Sequence, residues 1–206
     1  MTTDFLPLQD YKKLFPYLSY ENYLALTISL ETGLRIGDVV ALPSEALNGR
    51  ELSFTAAKTG KSGKVQISKG LAEKLHRFKG SRFIFESYSK AGHRTRQAVW
   101  HDVKKAAALA GIELNVAPHS ARKTFAVKVA KEKGFAAAQR ALQHDNPCTT
   151  VGYVYSGLFT EANSRASAAL TADELERLAD MIADKVVERL PCVKGCVATC
   201  KALDTK

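Results

Sequence analysis

The sequence predicts an α+β fold that is mainly α-helical and contains a small antiparallel β-sheet. Apolar residues recur at helical spacing along most of the chain. Two short segments, residues 51–56 and 64–68, instead look like strands, and a turn rich in Gly, Ser and Lys joins them as in a β-hairpin. Hydrophobic residues make up 46% of the chain and charged residues 25%, the balance of a globular protein with a real core.

Helices are predicted on both sides of this hairpin. The apolar helix over 20–32 is expected to be buried, and Gly33 ends it. A short helix then runs to Pro43, and Gly111 is expected to cap the helix that begins near residue 95. The other predicted elements are helices at 8–18, 69–79, 119–133 and 135–143, a short strand at 82–86, and a turn with a helical or irregular segment over 144–155.

The C-terminal region has its own pattern. A strongly amphipathic helix is predicted over 171–190, and Thr171 and Glu174 form a capping-box pair at its start. The segment that follows carries three cysteines, Cys192, Cys196 and Cys200. Their spacing of four is not that of a zinc site, so an ordinary, partly ordered tail without a metal is expected there. The alternative is that the three thiols bind a metal or cross-link chains.

The charge distribution favours a polyanionic partner such as DNA. The net charge is +9, and residues 58–140 hold 19 Lys and Arg against 5 Asp and Glu, whereas residues 166–206 hold 6 against 7. The alternative is a basic surface kept for solubility. We divide the chain into a main domain, residues 1–165, and the C-terminal helix and tail, residues 166–206. Neither a transmembrane run nor a signal peptide is apparent, so a cytoplasmic protein is expected.

Four segments contain side chains of unusual chemistry, and two of them lie in the N-terminal half. Arg35 follows the Gly break in an apolar setting, where an arginine needs a ligand or an ion-pair partner such as Asp38. Lys58, Lys61 and Lys64 lie in the hairpin turn. This turn can reach into a DNA groove, or it can be an ordinary exposed turn.

The other two segments pair histidine with a second functional residue. His119 and Arg122 are one helical turn apart, so both can donate hydrogen bonds to one anion, for which a phosphate is the obvious candidate. His144 precedes Tyr153 by nine residues. On its own, such a His–Tyr pair is more often part of a core than of an active site.

In their order and spacing, the four segments resemble the catalytic domain of tyrosine recombinases, the phage integrase family. The matching boxes are "TGLR" at 32–35, "KTGK" at 58–61, "HSARKTFA" at 119–126 and "LQHDNPCTTVGYVY" at 142–155. They resemble, in turn, the first arginine box, the hairpin with the catalytic lysine, the H-x-x-R box and the final box with the nucleophilic tyrosine. The resemblance extends from about residue 5 to about residue 160.

The resemblance implies an active set of six residues, which are Arg35, Lys58, His119, Arg122, His144 and Tyr153. Tyr155 is the rival nucleophile, but it follows His144 by eleven residues rather than nine. Ala121, Lys123 and Gln143 depart from the residues that are usual at their positions. None of these three positions is catalytic in the family, so they affect packing more than activity.

The resemblance further implies a site-specific DNA recombinase that cuts and rejoins strands through a 3′-phosphotyrosine. Two arginines would bind the non-bridging phosphate oxygens, Lys58 would protonate the leaving oxygen, and His119 would help the tyrosine to lose its proton, while His144 adds a further donor. These side chains supply the positive charge, so neither a metal nor a cofactor is expected. The predicted DNA contacts are Lys61, Lys64, Arg94, Arg96 and Lys123.

The expected partner is a double-stranded recombination site, bound by a tetramer that the C-terminal tail holds together, with accessory DNA-bending proteins as possible helpers. Such a protein of a mobile element would be associated with the nucleoid. The pattern begins almost at Met1, which fits either a single-domain recombinase or a fragment of a longer one. Two other functions stay open: a catalytically silent DNA-binding regulator with the same fold, and a DNA-relaxing enzyme of the type IB topoisomerase kind.

Overall fold

The computed structural model describes residues 3–142, 150–155 and 157. Seven α-helices have their bounds in this part of the chain: α1 (Tyr11–Leu14), α2 (Tyr20–Thr32), α3 (Ile36–Val40), α4 (Lys69–Phe78), α5 (Arg96–Leu109), α6 (Pro118–Lys133) and α7 (Phe135–Leu142). Residues 150–155 are also helical. The predicted helix at 171–190, the cysteine tail and the domain boundary at 165 lie outside the described residues.

Helix α2 is the centre of the fold, as its apolar sequence predicts. Leu24, Ala25 and Ile28 are fully buried, and the helix packs against α3, α4, α5 and α6. Its predicted end at Gly33 is confirmed, since this residue has a φ of 73° and its N–H bonds to the carbonyl of Ser29. Glycine adopts this left-handed conformation without the steric cost that a Cβ atom imposes.

The helix predicted over 8–18 is shorter than expected. Helix α1 ends at Leu14, and a 3₁₀ turn over Phe15–Tyr17 follows it. Pro16 explains the change, because its ring removes a backbone N–H and clashes with the carbonyl four residues earlier. Tyr11 and Leu14 are nevertheless buried in the core, so the apolar spacing in this segment identifies the inward side chains correctly.

The β-sheet has three antiparallel strands in the order β1 (Leu47–Asn48), β2 (Glu51–Thr55) and β3 (Ser62–Gln66). The predicted hairpin is thus confirmed, with one short strand added at its edge. The strand predicted at 82–86 is wrong, because this segment makes only single bridges, Phe83 to Pro43 and Glu86 to His93. Its apolar residues, Ile84 and Phe85, pack into the core instead.

Helix α5 leads from this region towards the pocket described below. The Thr95 hydroxyl caps the start of the helix by accepting a hydrogen bond from the Ala98 N–H at 3.2 Å. Val99 and Val103 are fully buried, as predicted, and Gly111 follows the helix with a φ of 64°. None of the described helices is both long and apolar enough to cross a lipid bilayer.

Candidate active site

The first turn of α6 presents His119 and Arg122 on the same side of the helix. Pro118 occupies the first helical position, where its missing N–H costs nothing. The Ser120 hydroxyl accepts a hydrogen bond from the Ala117 N–H at 3.2 Å and so fixes the start of the helix. These local contacts fix the first turn of α6 and therefore the direction in which His119 and Arg122 point.

The Arg122 guanidinium is buried, with 3% of the residue exposed, and is anchored at two points. Its Nη1 donates to the Gly33 carbonyl at 2.5 Å, and its Nη2 donates to the Leu142 carbonyl at 2.6 Å. A side chain at position 33 would disrupt this anchor, because its Cβ atom would lie 2.4 Å from the Phe125 ring. The tight glycine turn after α2 therefore positions an arginine that is 89 residues away.

Arg35 and Lys58 reach the same place from two other elements. Arg35 directly precedes α3, and Lys58 lies in the exposed turn between β2 and β3. The Asp38 carboxylate ties these elements together, since it accepts a hydrogen bond from the Ala57 N–H at 3.1 Å. Among the described residues, no ion pair joins Arg35 to Asp38, so the simple salt-bridge interpretation of Arg35 is wrong.

These residues surround an open pocket of about 670 Å³. Its charged and polar lining includes Arg35, Lys58, Arg96, His119 and Arg122 together with one carboxylate, Asp38, and the Trp100 side chain, 44% exposed, also borders it. Four of these groups carry a full positive charge, because Arg and Lys are protonated at neutral pH. Burial, followed by the charge of Arg35, lowers the pKa of Arg122 to about 10, which still leaves it cationic. The pocket is therefore suited to a phosphate.

Tyr153 forms a pair with His119 beside the pocket. The Tyr153 hydroxyl lies 2.5 Å from His119 Nε2, and the two rings meet edge to face with centroids 5.3 Å apart. Burial and the charges of Arg122, Lys123 and Arg35 lower the pKa of His119 to about 4. Burial also raises the pKa of Tyr153. At neutral pH a neutral imidazole thus faces a protonated phenol, which is the arrangement that a proton acceptor requires.

The structure brings five of the six predicted catalytic residues to one region, and His144 lies outside the described residues. Tyr155, the rival nucleophile, is 40% exposed. Lys123, the residue after Arg122, is half-buried; its ammonium donates to the Thr3 carbonyl and lies 5.7 Å from the centre of the Tyr153 ring.

The predicted DNA contacts occupy different environments. Arg96 lines the pocket, and Lys61 directly precedes β3. Lys64 forms an ion pair with Glu51 at 2.8 Å. Arg94 points inward and donates to Asn22 at 2.5 Å and to the Ser19 hydroxyl at 3.4 Å. Their roles as DNA contacts stay predictions.

Three residues of the region were not singled out by sequence reasoning. Gly33 was recognised as a helix end, but not as the partner of Arg122. Trp100 borders the pocket, and its position four residues after Arg96 on a polar helix face was an available signal. Thr3 lines the pocket through the folding of the chain, and no local pattern marks it. Within residues 3–142, 150–155 and 157, no cluster of His, Cys, Asp or Glu is suited to hold a metal ion.

Helices around a small sheet therefore hold a basic pocket with a His–Tyr pair beside it. A sequence model of the phage integrase family matches residues 4–157, and the chain belongs to this family. It is 26% identical over 153 residues to the probable integrase/recombinase YoeC of Bacillus subtilis, covering 71% of this chain and 84% of that protein. It is 32% identical over 136 residues to the tyrosine recombinase XerD of Rhizobium meliloti, covering 60% of this chain and 43% of that protein.

Solved structures confirm the predicted fold class. A lambda integrase dimer bound to a COC′ core site superimposes with a TM-score of 0.63 at 19% identity, covering 73% of this chain and 59% of that one. The catalytic domain of bacteriophage HP1 integrase gives a TM-score of 0.57 at 21% identity, covering 82% and 96%. The chain spans less than half of the XerD relative, and about three fifths of the lambda integrase chain.

Proposed function

We propose that this chain is the catalytic part of a site-specific DNA recombinase that cleaves and rejoins strands through a 3′-phosphotyrosine. The observation that carries the proposal is the Tyr153 hydroxyl, held 2.5 Å from a neutral His119 at the edge of a pocket lined by three arginines and a lysine. A nucleophile, a proton acceptor and a phosphate-binding site therefore lie together, as phosphoryl transfer with a covalent intermediate requires.

We assign to this site a cleavage reaction in which Tyr153 is the nucleophile and Lys58 the proton donor. The Tyr153 oxygen attacks the scissile phosphorus while its proton passes to His119 Nε2. The bond from phosphorus to the 5′-oxygen breaks, and Lys58 donates a proton to the leaving oxygen. Arg35 and Arg122 bind the non-bridging oxygens, where negative charge accumulates in the transition state. The reverse steps, with the 5′-hydroxyl of another strand, complete strand transfer. We assign to His144 a further hydrogen bond, which it donates to the phosphate.

DNA binding is proposed for the surface around the pocket. Arg96 and Lys61 are the candidates for backbone contacts, because one lines the pocket and the other follows the turn that carries Lys58. We expect Arg96→Ala to weaken binding to a duplex and to lower the salt dependence of binding by about one counterion. Lys64→Ala is the matched comparison: Lys64 already pairs with Glu51, so a smaller effect is expected. Titration of the Trp100 fluorescence with duplex DNA measures both variants, since the chain has one tryptophan.

The assembly is also part of the proposal. Related solved structures include a lambda integrase tetramer bound to a Holliday junction, and we infer a tetramer on DNA in which residues 166–206 contact a neighbouring protomer. We also propose that accessory DNA-bending proteins assist the assembly and that the protein is located at the nucleoid in the cytoplasm. Truncation after residue 165 is expected to abolish self-association on DNA in analytical ultracentrifugation. Unchanged association would contradict this role of the tail.

Trapping of the covalent intermediate tests the proposed function. Nicked duplexes tiled across the DNA that flanks the coding region release a short strand on cleavage, so that the phosphotyrosyl adduct cannot re-ligate and is resolved on a denaturing gel. We expect an adduct with the wild type and with Tyr155→Phe, and no adduct with Tyr153→Phe. DNA binding should persist in all three proteins. An adduct with Tyr153→Phe would show that the nucleophile is another residue.

The same adduct assay addresses the two other functions. A silent regulator binds the duplexes and forms no adduct. A relaxing enzyme forms the adduct and relaxes supercoiled plasmid, but it does not exchange strands between two sites. Products joined between two differently labelled sites would identify a recombinase.

A further inference from the structure

Lys123 has an environment unlike that of the other cations of the region. Its neighbour in sequence, Arg122, lines the pocket, whereas Lys123 is absent from the pocket wall. Its ammonium group lies 5.7 Å from the centre of the Tyr153 ring and donates a hydrogen bond to the Thr3 carbonyl. The charge thus faces the proposed nucleophile rather than the space that a phosphate would occupy.

The Thr3 carbonyl is a fixed anchor, because several contacts hold the segment that carries it. The Asp4 N–H donates to the Asn115 carbonyl at 3.1 Å, and the Asn115 N–H donates to the Asp4 carboxylate at 2.8 Å. Two residues later, the Leu6 carbonyl accepts a hydrogen bond from the Thr124 hydroxyl at 2.7 Å. An ammonium held by this segment has little freedom to swing towards DNA.

We propose that Lys123 is a positioning residue for Tyr153, which holds the phenol ring against His119 and stabilises the phenolate as the proton leaves. The inference rests on the proposed function, in which Tyr153 is the nucleophile. His119 meets the Tyr153 ring at an interplanar angle of 81° and hydrogen-bonds the hydroxyl, while the Lys123 cation attracts the π-electrons of the ring. Two contacts of different kinds therefore orient the ring and its oxygen.

The other charges around Tyr153 explain why a third cation is useful. Arg122 and Arg35 also face Tyr153 and favour its ionised form, but both line the pocket. A bound phosphodiester carries a negative charge that offsets the field of these arginines at the phenol oxygen. Lys123 lies outside the pocket, with Asp4 as the carboxylate that acts on it, and its charge also lowers the pKa of His119. Its contact with Tyr153 is with the ring, so a phosphate bound in the pocket does not compete for it.

A titration of Tyr153 in the absence of DNA tests this role. Tyr153 is replaced in the full chain by a difluorotyrosine, because its fluorine atoms lower the pKa of the phenol and report on its ionisation. Its ¹⁹F chemical shift is followed against pH in the wild type and in Lys123→Met, Lys123→Gln and Lys123→Arg. We expect Met and Gln to raise the pKa of the fluorinated residue by about half to one unit, and Arg to restore it. Lys128→Met, an exposed lysine on the same helix, is the matched control.

The Gln variant separates the tether from the charge, because Gln can still donate to the Thr3 carbonyl but carries no charge. It also serves if Lys123→Met does not fold. A pKa that changes by less than about 0.2 units in both neutral variants would overturn the proposal. So would a restored pKa in Lys123→Gln, since the tether alone would then be sufficient.

A kinetic measurement distinguishes this role from a DNA contact. On the nicked duplex, we expect Lys123→Gln to slow adduct formation at pH 7 about three- to tenfold while the Kd for the duplex stays within twofold. A weakened Kd with an unchanged rate at saturating DNA would identify a backbone contact instead and overturn the proposal. If the wild type forms no adduct, the proposed function fails, whereas the fluorine titration still decides whether Lys123 acts on Tyr153.

Discussion

Two arginines of this chain, Arg94 and Arg122, are both withdrawn from solvent but have opposite electrostatic surroundings. Arg94 joins a polar cluster between α2 and α5, where Asn22 accepts a hydrogen bond from its Nε and donates one to Asp102 at 2.6 Å. Asp102 also accepts hydrogen bonds from the N–H and hydroxyl of Ser19. Arg122 instead donates to two backbone carbonyls, and a second arginine, Arg35, stands near it.

The difference separates structural charge from functional charge. Burial alone would raise the pKa of Asp102, but hydrogen bonds from Asn22 and Ser19 and the charge of Arg94 together lower it, so hydrogen bonds and a nearby opposite charge stabilise this carboxylate. In the pocket, burial and Arg35 lower the pKa of Arg122. Cations that are buried next to each other lose solvation and repel one another, and such an arrangement is typical of a site that binds an anion.

Substitution of Arg122 should affect catalysis far more than substitution of Arg94. Arg122→Lys keeps one charge but loses the planar fork that bonds two carbonyls and a phosphate together. We expect adduct formation to fall about a thousandfold, the typical cost of one transition-state donor. The nicked-duplex assay at saturating DNA measures this loss. Arg94→Lys is the matched control, and a comparable loss there would remove the distinction between the two arginines.

Lys58 should matter for the leaving group alone. Lys58→Ala is expected to slow adduct formation by about a hundredfold, in the range of general acid catalysis. A duplex with sulfur in place of the scissile 5′-oxygen has a leaving group that needs no proton, so the variant and the wild type should then react at similar rates. A defect that persists with the sulfur substrate would show that Lys58 acts on the phosphate and not on the leaving group.

The Arg94 cluster should contribute to stability rather than catalysis. We expect Arg94→Met to lower the free energy of unfolding by about 1 kcal/mol, because Asp102 loses a nearby opposite charge at a site that solvent still screens. Urea denaturation of Arg94→Met, Asp102→Asn and the double variant gives the coupling energy, for which we expect about 1 kcal/mol. Additive effects of the two substitutions would show that the arginine and the carboxylate do not interact.

The His119 imidazole should make a small pH-dependent contribution. Its pKa in the folded protein is about 4, below the ordinary 6.5, so the unfolded chain binds more protons between these values. Stability is therefore lost as the pH falls from about 6.5 towards 4. His119→Asn removes this titration, so the variant should lose less unfolding free energy than the wild type as the pH falls. We expect the difference to be less than about 1 kcal/mol, because solvent screens a partly exposed ring. Urea titrations at pH 7.5 and 4.5 measure the difference; above pH 7.5, wild type and variant should respond alike to pH.

Local chemistry made much of the molecule predictable from sequence. The bounds of α2, the hairpin of β2 and β3, and the cap at Gly111 follow from periodicity and from glycine, and the structure confirms them. The failures have physical reasons. Pro16 overrode a helical pattern over 8–18, and the apolar run around Ile84 was filling the core rather than pairing in a sheet.

Residue type and spacing within a helix or turn are local properties, so the amino-acid sequence is sufficient to identify the side chains that could perform the chemistry. The partners of these side chains depend on the packing of the whole chain. It anchored Arg122 on Gly33 and Leu142, turned Arg94 inward to Asn22, and placed Lys123 over the ring of Tyr153. Each of these contacts joins residues that are 20 to 89 positions apart in the chain, so it depends on how the helices pack. Periodicity along one element contains no information about such contacts.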